Sequence, residues 1–198
     1  MKKLILLTTL LIPFIMFSQH QLGADIDGEA AGDISGYSVS IDSDGSHVAI
    51  GAYANDGTGS GAGHVRIYSW DGTNWSKVGN DIDGEAAGDY SGVSVSIDSD
   101  GSHVAIGAYE NDGTVSNAGH VRIYSWDGTN WSKVGNDIDG EAAGDQSGVS
   151  VSIDSDGSHV AIGASANDGT GSAAGHVRIY SWDGTNWSKV GNDIDGEA

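Results

Sequence analysis

The chain has 198 residues and carries 28 acidic against 8 basic side chains, a formal charge of −20. That balance argues against nucleic acid as a partner, because phosphate binding depends on clustered Lys and Arg. There are 32 Gly, one Pro and no Cys, and leucine is confined to Leu4, Leu6, Leu7, Leu10, Leu11 and Leu22; this excludes a disulfide framework and a helical fold, and the abundance of Val, Ile and Ser points to β-structure.

Residues 1–19 read as a secretory signal peptide. Lys2 and Lys3 form a basic start, and residues 4–17 are a mostly apolar run, shorter than the ~20 residues that a membrane-spanning helix needs. Small Ser18 suits the position before a peptidase cut, and no Cys follows to carry a lipid. The expected localisation is secreted or cell-surface, with no membrane span after cleavage.

From Asp25 onward one unit is written three times. Residues 25–33, Asp-Ile-Asp-Gly-Glu-Ala-Ala-Gly-Asp, recur at 81–89 and 137–145, a period of 56. The repeats are 25–80, 81–136 and 137–192, and residues 193–198 begin a fourth, so further repeats are expected beyond Ala198. Repeats one and two share 51 of 56 positions, differing at Ile34/Tyr90, Tyr37/Val93, Ala54/Glu110, Gly59/Val115 and Gly61/Asn117. A unit of this kind cannot bury a core alone and must stack on its neighbours.

Each repeat opens on the acidic segment. Asp25, Asp27, Glu29 and Asp33 stand at relative positions 1, 3, 5 and 9, the order in which a calcium loop presents oxygen ligands, although Ala30 occupies the sixth place where such a loop needs Gly. Asp81, Asp83, Glu85 and Asp89 repeat the pattern, as do Asp137, Asp139, Glu141 and Asp145. Ca2+ is the ion this spacing suits; the competing reading is a polar connection whose carboxylates face water.

Four strands are predicted after it. Residues 37–41 alternate, with Val39 and Ile41 on one face, and end in the turn Asp42-Ser43-Asp44-Gly45. Residues 47–52 put Val48 and Ile50 on one side and leave Ala49 and Gly51 nearly bare on the other, so that a neighbouring sheet can approach closely. A loop over 55–63 leads into a third strand, 64–70, and Asp71-Gly72-Thr73-Asn74 turns it into a fourth, 75–78. The fold class is all-β: four antiparallel strands per repeat describe a propeller-type blade. A sandwich needs about seven strands per domain, and solenoid coils run about 20 to 45 residues. Three blades do not close a ring, since propellers have about four to eight.

The motifs Ser35-Gly36-Tyr37-Ser38-Val39, Gly51-Ala52-Tyr53 and Gly63-His64-Val65-Arg66-Ile67-Tyr68 together resemble the FG-GAP repeat of integrin alpha-chain propellers. Ser35-Gly36 stands where that family has Phe-Gly, and Gly51-Ala52-Tyr53 where it has Gly-Ala-Pro. The resemblance covers every repeat and implies a bacterial secreted or surface protein. It does not carry over the family's calcium loop between the first two strands, because Asp42-Ser43-Asp44-Gly45-Ser46 lacks the later ligands.

Other signals are weaker. Gly32-Asp33-Ile34-Ser35-Gly36 echoes a serine-protease segment but has one residue too many, and no triad accompanies it. Ser69-Trp70-Asp71-Gly72-Thr73-Asn74-Trp75 resembles the Asp-box hairpin of sialidase-type propellers, one residue short. The arginines Arg66, Arg122 and Arg178 fall one per repeat on the third strand, not in a central cluster. His47 and His64 begin strands, without Cys partners for zinc, and are expected to bond locally. Trp70 and Trp75 bracket a hairpin and are expected to pack across it.

If the first strand runs down, the acidic connection and the 55–63 loop share one face. Most positions that differ between repeats lie at or beside those segments, while both hairpins are identical in all copies. Variable loops on a rigid scaffold suit ligand contact. The expected function is a non-enzymatic surface or secreted binding module, adhesive or glycan-binding and calcium-dependent, with an extracellular protein or glycan partner. The alternatives are a ligand-free spacer and the non-catalytic part of a larger glycan-active enzyme.

Overall fold

The computed structural model describes residues 21–197. The expected signal peptide, residues 1–19, lies outside the described residues. Within them every regular element is a strand, and no helix is long and apolar enough to cross a membrane.

The first sheet contains β1 (Ser38–Ile41), β2 (His47–Ala52), β3 (His64–Trp70), β4 (Trp75–Lys77) and β5 (Ile82–Asp83). The second contains β6 (Ser94–Ile97), β7 (His103–Ala108), β8 (His120–Trp126), β9 (Trp131–Lys133) and β10 (Ile138–Asp139). The third contains β11 (Ser147–Ile153), β12 (His159–Ala164), β13 (His176–Trp182), β14 (Trp187–Lys189) and β15 (Ile194–Asp195). Each sheet is a four-strand antiparallel meander with the two-residue fifth strand paired beside its fourth, on the third strand.

Turn chemistry sets these registers. Asp42 caps the first hairpin by accepting the Ser46 amide at 2.8 Å, which brings Ile41 opposite Val48 and Val39 opposite Ile50. Asp71 accepts the amides of Thr73 at 2.8 Å and Asn74 at 2.7 Å, an Asx turn that needs no hydrophobic support. It brings Trp70 opposite Trp75, with ring centroids 5.4 Å apart. The two indoles thus pack across their hairpin, as expected.

The fifth strand departs from the sequence reading, which places residues 81–89 wholly in a connection. Ile82 and Asp83 pair with Val65 and His64 of β3, so the first residues of each repeat complete the sheet of the one before. The cause is hydrophobic: Ile82 is buried and joins the core with Val65 and Ile67.

That core lies between blades. Ala49, Val65 and Ile67 of the first sheet meet Val95, Ile97, Val104 and Ile106 of the second, and Ala105, Val121 and Ile123 meet Ile153, Val160 and Ile162 in the same way. The bare side of β2 is where the next blade arrives: a Cβ on Gly51 would run into the Gly92 carbonyl, and one on Gly107 into that of Gly148. The first strands of successive blades lie side by side. Ser38 Oγ donates to the Gly92 carbonyl and Ser94 Oγ to that of Gly148, both at 2.7 Å. Trp131 Nε1 reaches back to the Val78 carbonyl at 2.9 Å, and Trp187 Nε1 to that of Val134.

Candidate binding face and acidic clusters

The 55–63 loop and the acidic connection that follows it are stitched together. Gly84 donates its amide to Gly63, Gly88 to Ser60, Tyr90 to Gly61 and Ser91 to Ala62, all within 3.0 Å. The two segments carrying most of the differences between repeats therefore form one surface.

Four of the seven tyrosines make a continuous row on that surface. Tyr37 meets Tyr53 edge-on with centroids 4.6 Å apart, Tyr53 meets Tyr90 edge-on at 5.7 Å, and Tyr90 stacks on Tyr109 at 5.8 Å. Tyr37 is 59 % exposed, and the other three are half-buried. Burial and the neighbouring Glu110 carboxylate push the Tyr109 hydroxyl up to about 12, so it remains a hydrogen-bond donor at neutral pH. In the third repeat Gln146 and Ser165 replace the rings, which confines the row to the first two blades.

Backbone strain gathers at the same place. The five described non-glycine residues with positive φ are Ile34, Tyr90 and Gln146 at one repeat position and Asn117 and Ala173 at another. Both positions are among those that differ between repeats. For β-branched Ile34, at φ 55°, the left-handed region is a true outlier, and such outliers cluster at functional surfaces.

The carboxylates with calcium-loop spacing take separate partners. Asp33, Asp89 and Asp145 are buried; each accepts the amide three residues earlier and the Nδ2 group of Asn55, Asn111 or Asn167, which fastens the 55–63 loop and its equivalents. Asp81 and Asp137 pair with Lys77 and Lys133 at 2.8 and 2.7 Å. Asp25 accepts Gln21 Nε2 at 2.7 Å. Asp27, Asp83 and Asp139 offer their main-chain carbonyls to Arg66, Arg122 and Arg178 at 2.8 Å. Burial, reinforced by Asp81 and Asp137 respectively, raises the side-chain pKa of Asp83 and Asp139. Glu29, Glu85 and Glu141 face the same arginines at 3.8, 3.5 and 3.4 Å.

Among the described residues, the groups of three ligand-type side chains that do converge join two repeats through a histidine. They are Glu29, His64 and Asp81; Glu85, His120 and Asp137; and Glu141, His176 and Asp193, with their ligand atoms within 4.8 Å of one another. Each arises because β5, β10 or β15 lays the start of the next repeat beside the first residue of the third strand. His64 and His120 are neutral at pH 7: burial lowers both, His120 to about 4.

The sequence reading expects both strand-opening histidines to bond locally. His47 does, contacting Asp42 at 2.8 Å and Ser46 at 3.0 Å. His64 does not, since its buried Nε2 has no hydrogen-bond partner among the described residues. The arginines are buried and structural, holding main-chain carbonyls and lying against Tyr68, Tyr124 and Tyr180.

No family model matches the sequence, and no curated protein does. Among solved structures, the chain is similar to a candidate 6-phosphogluconolactonase from Bacteroides fragilis, with a TM-score of 0.53 and 15 % identity over 80 % of this chain and 38 % of that one. It also aligns with hydrazine synthase from Kuenenia stuttgartiensis, with a TM-score of 0.48 and 11 % identity over 89 % of this chain and 40 % of that one. The chain is built of propeller-type blades. It spans about two fifths of the length of these structures, and at such identities the first likeness is one of fold alone.

Proposed function

We propose that this protein is an exported, acidic propeller-repeat module that binds an extracellular glycan, as an adhesin does, and performs no chemistry of its own. The observation that carries the reading is the tyrosine row Tyr37, Tyr53, Tyr90 and Tyr109, seated where the repeats differ and where the backbone is strained. Phenol rings combine an apolar face with a polar tip, which matches a sugar with its apolar C–H face and hydroxyl rim. The FG-GAP-like motifs and the apolar run over residues 4–17 support export and a surface setting. Calcium as a further ligand rests on the carboxylate spacing of the acidic connections alone, since in the fold those side chains are engaged by Asn55, Lys77 and main-chain amides.

A glycan array probed with the full chain tests this. Binding that falls about tenfold or more in Tyr37→Ala and Tyr90→Ala, with circular dichroism unchanged, is the expected result. Equal binding by wild type and both variants would overturn it. A ligand-free spacer is the second reading, favoured by the edge-on packing of Tyr37 on Tyr53 and of Tyr53 on Tyr90, which satisfies those rings among themselves. Absence of any ligand on glycan and surface-protein arrays would support it.

A further inference from the structure

We infer that each blade carries a site for a divalent transition metal of the zinc class, formed by Glu29, His64 and Asp81, by Glu85, His120 and Asp137, and by Glu141, His176 and Asp193. The geometry is the first ground. Three ligand atoms within 4.8 Å of one another stand close to the spacing of about 3.3 Å that tetrahedral zinc imposes on ligands some 2 Å from the ion. Rotation of the exposed Glu29 side chain can close the difference.

The second ground is independent of the carboxylates. His64, His120 and His176 are 2 %, 1 % and 6 % exposed, and in all three Nε2 has no hydrogen-bond partner among the described residues. A buried polar atom left unsatisfied is costly and calls for a water or an ion. Here the same omission recurs three times, each time on the one imidazole that stands beside two carboxylates.

Donor chemistry selects the ion. One imidazole nitrogen and two carboxylates, with a fourth position open to water, suit zinc. Calcium would need six to eight oxygens, and these clusters pair only two carboxylates. The site shares Glu29 and Asp81 with the calcium loop proposed above and differs from it in requiring the histidine, so either can fail without the other. Lys77 is the competitor: its Nζ lies 2.8 Å from Asp81 Oδ1, leaving the second oxygen for the ion. Arg66, Arg122 and Arg178 Nη1 lie 3.8, 3.5 and 3.4 Å from Oε1 of Glu29, Glu85 and Glu141, ion pairs that the rotation of each glutamate onto the metal must give up. A bound ion would tie Asp81 to the start of β3 and fasten the β5 edge of each sheet.

The test uses the full chain without a polyhistidine tag, stripped with chelator and titrated calorimetrically with Zn2+ and, separately, with Ca2+. Saturable zinc binding at three ions per chain, matching the three clusters, is expected. It should drop to two in His120→Gln and disappear when His64 and His176 are also changed to Gln. Lys77→Gln should tighten one of the three sites several-fold. If the triple variant does not fold, the single variant still decides the matter through its stoichiometry. Zinc binding that ignores His120→Gln, calcium binding without zinc binding, or no saturable heat with either ion would each overturn the site; the second result would leave the calcium loop standing.

Discussion

Val39 and Val95 occupy the same position one repeat apart, yet Val39 is 64 % exposed and Val95 8 %. The difference is the blade before Val95: β1 and β2 cover it, and no described element covers Val39. Ile41 and Ile97 show the same contrast. At the other end Ile194 is 57 % exposed where its counterpart Ile138 is 5 %. The two uncovered faces are the two halves of the junction seen twice inside the molecule.

The polypeptide of residues 21–198 should therefore self-associate head to tail. Sedimentation velocity is expected to show concentration-dependent species larger than the monomer, suppressed by Ile41→Asp. A monomer at every concentration, with both faces still uncovered, would contradict this reading of the junction.

Close approach at Gly107 should make that glycine irreplaceable. A Cβ there meets the Gly148 carbonyl of the next blade, whereas at the equivalent Gly163 it meets only Ser150. Backbone cannot give way as a serine side chain can, so Gly107→Ala should destabilise by about 3 kcal/mol or more and Gly163→Ala by about 1. Urea midpoints for the two variants check the order; equal losses would mean that the blades separate more easily than their packing implies.

Weakly acidic conditions should strengthen the hairpin closed by Asp98 and His103, whose Oδ2 and Nδ1 are 2.7 Å apart. The hydrogen bond from Asp98 raises the His103 pKa against burial, so its contribution is complete below about pH 6.5 and is lost as pH rises through the raised folded value. Asp98 is pushed up by burial, but the bonds from His103 and Ser102 outweigh this and hold it low. Its contribution is present above about pH 3.9 and is lost as pH falls through the lowered value. The pair therefore helps most between about pH 4 and 6.5. Asp98→Asn should cost more stability at about pH 5.5 than at about pH 8.5, measured by chemical denaturation. A cost independent of pH would show that the imidazolium is not involved.

Much of the architecture is legible without coordinates because it rests on local chemistry. The 56-residue period, the Asx turn at Asp71 and the alternation in β1 and β2 each act within a few residues, and they dictate strands, hairpins and blades. The bare face of Ala49 and Gly51 also announces the close neighbour that arrives there. The tyrosine row is half legible: the sequence marks positions 34, 37 and 53 as variable, but Tyr53 and Tyr90 lie in different repeats and meet only after the blades pack.

The sequence by itself determined the repeat, the all-β class and the acidic connections, since composition and spacing are properties of the linear chain. Only the tertiary structure decided which carboxylates stand together. Ile82, seeking burial, docks the start of one repeat onto β3 of the one before, carrying Asp81 to His64 and Glu29. Contacts that cross the repeat boundary depend on three-dimensional packing, and no spacing within one acidic segment encodes them.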